Sequence, residues 1–151
     1  MLALMLASPD NMAQDSSGMV VASRGDVSVI SKGESRPLRQ GDFIYEQDEI
    51  TANNRSFVVL QFVDGAKLSL RPDSLLVIEQ YLFAGSGDSV ATLRLASGGL
   101  RVVSGAIASG QPESYRIRTP LVLLHVQGTE SSLTLCGDKV CEQKGLVEVV
   151  E

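Results

Sequence analysis

The run Tyr115-Arg116-Ile117-Arg118-Thr119-Pro120-Leu121-Val122-Leu123-Leu124-His125-Val126-Gln127-Gly128-Thr129 decides the fold. It reads as one extended apolar segment, interrupted by Thr119-Pro120 and closed by Gly128-Thr129. Its alternation of apolar and polar side chains predicts strand. The near-continuous middle, Leu121 to Val126, predicts a strand buried on both faces. Strands of this kind, punctuated by glycine, belong to a layered all-β body. Such a body argues against most enzyme readings and says little about the ligand.

The pattern repeats on either side. Ser56 to Val63 places Val58, Leu60 and Phe62 on one face, and Asp64-Gly65 follows as a tight hairpin turn. Lys67 to Arg71 continues with leucines inward and charge outward, Pro72-Asp73 breaks the ladder, and Leu75 to Ile78 resumes it. Val27-Ser28-Val29 alternates after Arg24-Gly25-Asp26. Ala84 to Ser89 is small and polar and reads as a loop. Thr92 to Leu95, Gly98-Gly99 and Leu100 to Val103 follow, then a polar bend from Ser104 to Pro112. Beyond the central run come Ser132 to Leu135 and a last strand, Leu146 to Val150. No amphipathic helix of ten or more residues emerges. Short strands joined by glycine turns build sandwiches, barrels or solenoids. The glycines are unevenly spaced, which gives no strict repeat. The expected fold is all-β, a solenoid-like β-roll or β-helix, with a β-sandwich as the alternative.

The 151 residues suffice for one domain with a real core. Aromatics make up 5% and tryptophan is absent, so that core must be aliphatic, built from side chains suited to a pleated surface. A net charge of −5 disfavours nucleic acid as a partner, since phosphates demand clustered Lys and Arg. The start, Met1-Leu2-Ala3-Leu4-Met5-Leu6-Ala7-Ser8-Pro9, has the apolar core of a secretory signal without its positive end. Residues 1–17 are therefore expected to be a truncated signal peptide or a disordered tail, and residues 18–151 the all-β domain. No apolar run is long enough for a membrane helix, so no integral membrane segment is expected.

The ordered series of short motifs resembles a FecR-type domain. Its parts are Gly25-Asp26-Val27, Leu38-Arg39-Gln40-Gly41-Asp42, Asp48-Glu49-Ile50-Thr51, and Phe62-Val63-Asp64-Gly65 leading into Leu68-Ser69-Leu70-Arg71-Pro72. Gly98-Gly99-Leu100-Arg101, Arg118-Thr119-Pro120, Val126-Gln127-Gly128-Thr129 and Lys144-Gly145-Leu146-Val147-Glu148-Val149 complete it, from about Gly18 to Glu151. The resemblance implies an exported, periplasmic β-rich domain of a Gram-negative-type bacterium. In the best-understood relatives the domain senses the loaded state of an outer-membrane transporter and signals inward to a sigma factor. Those relatives carry an anti-sigma segment and a membrane helix before it, and this sequence matches only the sensing domain. The family commonly places an aromatic two positions after Thr129, where Ser131 stands here. A small polar residue in that slot predicts either a void or a polar neighbour.

Candidate chemistry is sparse. Cys136 and Cys141 flank Gly137-Asp138-Lys139-Val140, a hairpin whose ends approach disulfide distance. In an oxidising compartment a disulfide is expected; two reduced thiols or half of a metal site are the alternatives. The lone His125 reads as a hydrogen-bonded strand residue. Asp42, Glu46, Asp48 and Glu49 read as a solvated bend rather than a Ca²⁺ site, because the ordered spacing of a calcium loop is absent. Arg116 and Arg118 share a strand face, with Arg101 on a candidate strand nearby. These three are the candidate binding residues, for an anionic sugar or a partner carboxylate, against a plain solvent-facing reading. No catalytic residue, metal or cofactor is expected. The functional expectation is an exported, non-enzymatic domain acting in cell-envelope protein interaction or signal sensing. The alternative is a structural protein that binds cell-wall glycan or other carbohydrate in the periplasm.

Overall fold

A computed structural model describes residues 15–84 and 87–150. The strands are β1 (Gly18–Arg24), β2 (Val27–Ser31), β3 (Glu34–Pro37), β4 (Phe43–Ile44), β5 (Glu49–Ala52), β6 (Phe57–Phe62), β7 (Lys67–Leu70) and β8 (Ser74–Leu82). They continue as β9 (Val90–Ser97), β10 (Gly99–Val103), β11 (Tyr115–Arg118), β12 (Leu123–Val126), β13 (Glu130–Cys136), β14 (Lys139–Lys144) and β15 (Leu146–Glu148). One short helix, α1 (Ala106–Gly110), precedes a 3-10 turn at Pro112–Ser114.

The strands form two open sheets. One runs β14-β13-β10-β7-β6-β1-β4 and the other β15-β12-β11-β9-β8-β5-β2-β3. The all-β expectation holds, and the layering fits the sandwich alternative. A solenoid stacks successive coils in parallel ladders, whereas here β9 and β11 are the one parallel pair among the described strands and the others are antiparallel.

A single, mainly aliphatic cluster lies between the sheets, with Phe62, Tyr81 and Tyr115 as its aromatic members. Val20, Val58, Leu60, Leu68, Leu70, Leu100 and Val102 come from one, and Val29, Ile50, Leu76, Ile78, Leu93, Leu95, Ile117 and Leu124 from the other. The alternation in β6 and β9 is that of strands with one face on a core and one facing out. In β8 the register slips between Ile78 and Gln80, so Ile78 and Tyr81, three apart, both point inward.

The chain changes sheet repeatedly, and it does so at left-handed corners. Gly25, Gly41, Gln47, Arg55, Asp73, Gly98, Gly128 and Gly145 each stand between strands of different sheets, with φ between 59° and 92°. The passage from β10 to β11 is made instead through α1. At Gly98 the conformation and the space both require glycine: φ is +82°, and a β-carbon would lie 2.6 Å from the Asp73 carbonyl oxygen and the Ser74 Cα. The hydroxyl of Ser74 fastens this corner by accepting from the Gly99 N–H at 2.8 Å and donating to the Gly99 carbonyl at 3.2 Å.

Three local expectations change. The central run is two strands rather than one: β11 and β12 pair antiparallel across a turn in which Thr119 N–H donates to the Val122 carbonyl at 2.8 Å. Its middle is not buried on both faces, since Leu121 is 62% exposed and β12 alternates Leu124 and Val126 inward with Leu123 and His125 outward. The bend expected from Ser104 to Pro112 contains α1, which buries Ile107 and Ala108. The signal-peptide reading of residues 1–17 falls largely outside the described residues. Ser17 is described, and it is no loose tail: it is buried, its N–H donates to the Ile44 carbonyl at 2.7 Å, and its carbonyl accepts from Val63 N–H at 2.9 Å.

Candidate functional site

Buried polar groups show what this fold must hold in place. Asp64, expected as a simple turn residue, is buried and anchors three elements. Its Oδ1 accepts from Tyr81 Oη at 2.6 Å and from Ala66 N–H at 3.2 Å, and its Oδ2 accepts from Ile107 N–H at 3.2 Å. Its carbonyl accepts from Ala106 N–H at 2.9 Å. One carboxylate thus ties the β6–β7 hairpin to β8 and to the start of α1. Gly105 permits the approach, because a β-carbon there would lie 2.6 Å from the Asp64 carbonyl oxygen and 2.8 Å from Oδ2.

Tyr81 stacks on Phe62 with ring centroids 4.3 Å apart and meets the edge of Tyr115 at 6.0 Å. Burial raises the Tyr81 phenol far above its usual range, and the Tyr115 phenol and the Asp64 carboxylate act in the same direction. Burial likewise raises Tyr115. Both phenols are neutral when folded and ionise more easily in the unfolded chain, where the ordinary value is 10.0. Their contribution to stability is therefore complete below about pH 10 and shrinks as the pH climbs toward the raised folded values. Denaturant melts should show a midpoint indifferent to these groups up to about pH 9, then a steep fall above about pH 10.5 that Tyr81→Phe makes shallower.

The acidic bend is not simply solvated. Asp48 is buried, accepting from Ser31 Oγ at 2.6 Å and from Tyr45 N–H at 2.9 Å. Asp42 accepts from Arg39 N–H at 2.8 Å and pairs with Arg36 at 3.4 Å. Glu46 accepts from Tyr81 N–H at 2.7 Å. These carboxylates lock turns and strand edges. Among the described residues, no group of three or more His, Cys, Asp or Glu side chains is placed to hold a metal ion.

The three candidate arginines divide between the sheets. Arg116 and Arg118 lie together on the outer face of β11, while Arg101 lies on β10 in the other sheet. Arg118 Nε pairs with Glu79 at 3.1 Å, and Arg94, opposite it in the register, reaches the same carboxylate at 3.9 Å. Arg116 Nε donates to the Glu113 carbonyl at 3.1 Å. Arg101 pairs with Glu130. His125 faces outward beside Arg116, with Nδ1 2.9 Å from the Val126 carbonyl oxygen. Ser131, in the slot where relatives carry an aromatic, leaves no unmet hydroxyl: it is buried and donates to the Gly145 carbonyl at 2.8 Å.

Cys136 and Cys141 form a disulfide across the β13–β14 hairpin, with Cα atoms 5.6 Å apart. The loop is short, so the constraint on the unfolded chain is worth about 2 kcal/mol. The double variant Cys136→Ser/Cys141→Ser should lose about that much in a urea titration, and the oxidised protein should lose as much on adding reductant.

The outer strands differ in how they meet solvent. β3 is fully exposed but carries Pro37 and the charges Glu34 and Arg36, which blunt an edge. β4 has two residues and β15 three; β14 has six and carries no proline, although it too bears charges, at Lys139, Glu142 and Lys144. Between β14 and the β12–β15 side of the other sheet lies a groove of about 500 Å³, with Leu121, Val122, Leu124 and Val140 on its apolar part and Lys139, Glu142, Gln143 and Glu148 on its polar part. A six-residue edge and this groove therefore adjoin each other.

Two open sheets around a mainly aliphatic core, with the buried carboxylates Asp48 and Asp64 holding turns, define a β domain with a six-residue free edge beside a groove. A family model described as FecR protein matches residues 48–151, well over half of the sequence. The chain belongs to the FecR family, which places it among domains related to signal transduction. None of the curated proteins and none of the solved structures matches it. The motifs from Gly25 to Asp42 fall before the matched segment, yet β1 and β2 are interior strands of the two sheets. Family and disulfide together point to an envelope or exported protein. Among the described residues no helix is long and apolar enough to cross a membrane.

Proposed function

We propose that this is an exported, non-enzymatic domain of the periplasm that acts in cell-envelope protein interaction or signal sensing. The observation that supports it most is β14: six residues long, paired on one side by β13, free of proline, and beside a groove of mixed apolar and charged lining. An extended segment of an envelope protein would add to this edge through main-chain hydrogen bonds and place alternate side chains in the groove. Arg116 and Arg118, on the outer face of the neighbouring sheet, would add polar contacts. A photo-crosslinking residue placed at Gln143 on β14 should yield a discrete adduct in envelope extract, while the same residue at Ser35 on β3 should yield none. Equal yields at both positions would refute edge recognition. Co-sedimentation with purified peptidoglycan, without a protein adduct, would replace the reading with wall binding.

A further inference from the structure

On the outer face of the seven-stranded sheet, away from the β14 groove, three cationic side chains gather around a depression of about 220 Å³. The strand register explains the gathering. Ser69, Arg101, Ser132 and Lys144 form one cross-strand row over β7, β10, β13 and β14. Arg71 joins from the next turn because Gly99 has no side chain: a β-carbon there would lie 3.2 Å from Arg71 Cδ. Arg71, Arg101, Lys144, Glu130, Ser131 and Ser132 line the depression. Three cations and one carboxylate leave two positive charges at this spot, in a protein whose net charge is −5. Arg101 is engaged by Glu130, while neither Arg71 nor Lys144 has a carboxylate within ion-pair distance among the described residues.

We propose that this depression binds a phosphate monoester group. At neutral pH such a group carries close to two negative charges and three acceptor oxygens, matching the two unopposed positive charges. Two guanidinium forks and an ammonium supply the charge-assisted donors, and the Ser132 hydroxyl supplies a neutral one. The volume suits a single headgroup rather than a drug-sized ligand, for which pockets begin near ~300 Å³. Glu130 competes for Arg101 and so tunes the site downward.

The test measures binding of the purified protein to two probes, inorganic phosphate by calorimetry and phosphatidic-acid vesicles by flotation, with phosphatidylcholine vesicles as the blank. Arg101→Gln and Lys144→Gln should each weaken binding about tenfold, and Arg36→Gln, the same charge change on β3, should leave it unaltered. Glu130→Gln should strengthen it about threefold, an effect that general loss of folding would not produce. Binding to phosphate alone identifies a soluble ester, and binding to vesicles alone identifies a lipid surface; either supports the site. Binding to neither probe, or equal affinity in Arg101→Gln and Arg36→Gln, overturns it.

Discussion

Replacing Asp64 with alanine should destabilise the domain by about 4 kcal/mol, since three donors would lose their acceptor in a buried setting, at about 1–3 kcal/mol each. The donors are Tyr81 Oη, Ala66 N–H and Ile107 N–H. Against a typical total of about 5–15 kcal/mol this is a large fraction, and the melting temperature should fall by roughly 8–16 °C. Tyr81→Phe separates the contributions: the ring keeps its stack on Phe62, one donor disappears with its partner bond, and the loss should be about 1–2 kcal/mol. Local damage should follow the same logic. Hydrogen exchange at Ile107 and Ala108 should accelerate more in Asp64→Ala than in Tyr81→Phe, because the former frees α1. A cost below about 1 kcal/mol for Asp64→Ala would mean the carboxylate is not the anchor.

The second large effect is expected at Gly98→Ala, at about 3–5 kcal/mol. Part of this is the left-handed backbone, which costs an alanine about 1–2 kcal/mol. The remainder comes from the new methyl, which would meet the backbone of Asp73 and Ser74 and displace the Ser74 clip. Gly33→Ala is the paired control. Its φ of +81° nearly equals the +82° of Gly98, but a β-carbon there meets nothing within 4 Å. Its loss should be about 1 kcal/mol. Urea titration of the two variants reads the steric part as their difference, and equal losses would show that the corner has room.

The hairpins were legible in the sequence because two local signals coincide in them. Val58, Leu60 and Phe62 alternate cleanly, and Asp64-Gly65 supplies the turn between β6 and β7. The cysteine pair was legible for the same reason, since a Gly-Asp turn brings its flanks together. Sheet membership was not legible. Side-chain parity shows which residues share a strand face, as Arg116 and Arg118 do on β11. It does not show which sheet a strand joins, and Arg101 belongs to the other one. Three of the corners that decide membership, Gln47, Arg55 and Asp73, carry no glycine to announce them. The role of Asp64 was hidden because a turn already accounts for an aspartate next to glycine, and its partner Tyr81 comes inward only through the register slip in β8. No sequence pattern marks Arg71 as a neighbour of Arg101, because it reaches its place through the absence of a side chain at Gly99.

The interior position of β1 and β2 bears on where this domain can be divided. A fragment beginning at Asp48 would keep every residue of the matched segment and strip β6 and β5 of one neighbour each, β1 and β2. Both halves of the molecule would then offer raw hydrogen-bonding borders beside uncovered Val58, Leu60 and Ile50, an invitation to self-association. The segment from Gly18 to Gln47 is thus part of the folding unit, and any excised version meant to behave as a monomer has to begin ahead of it.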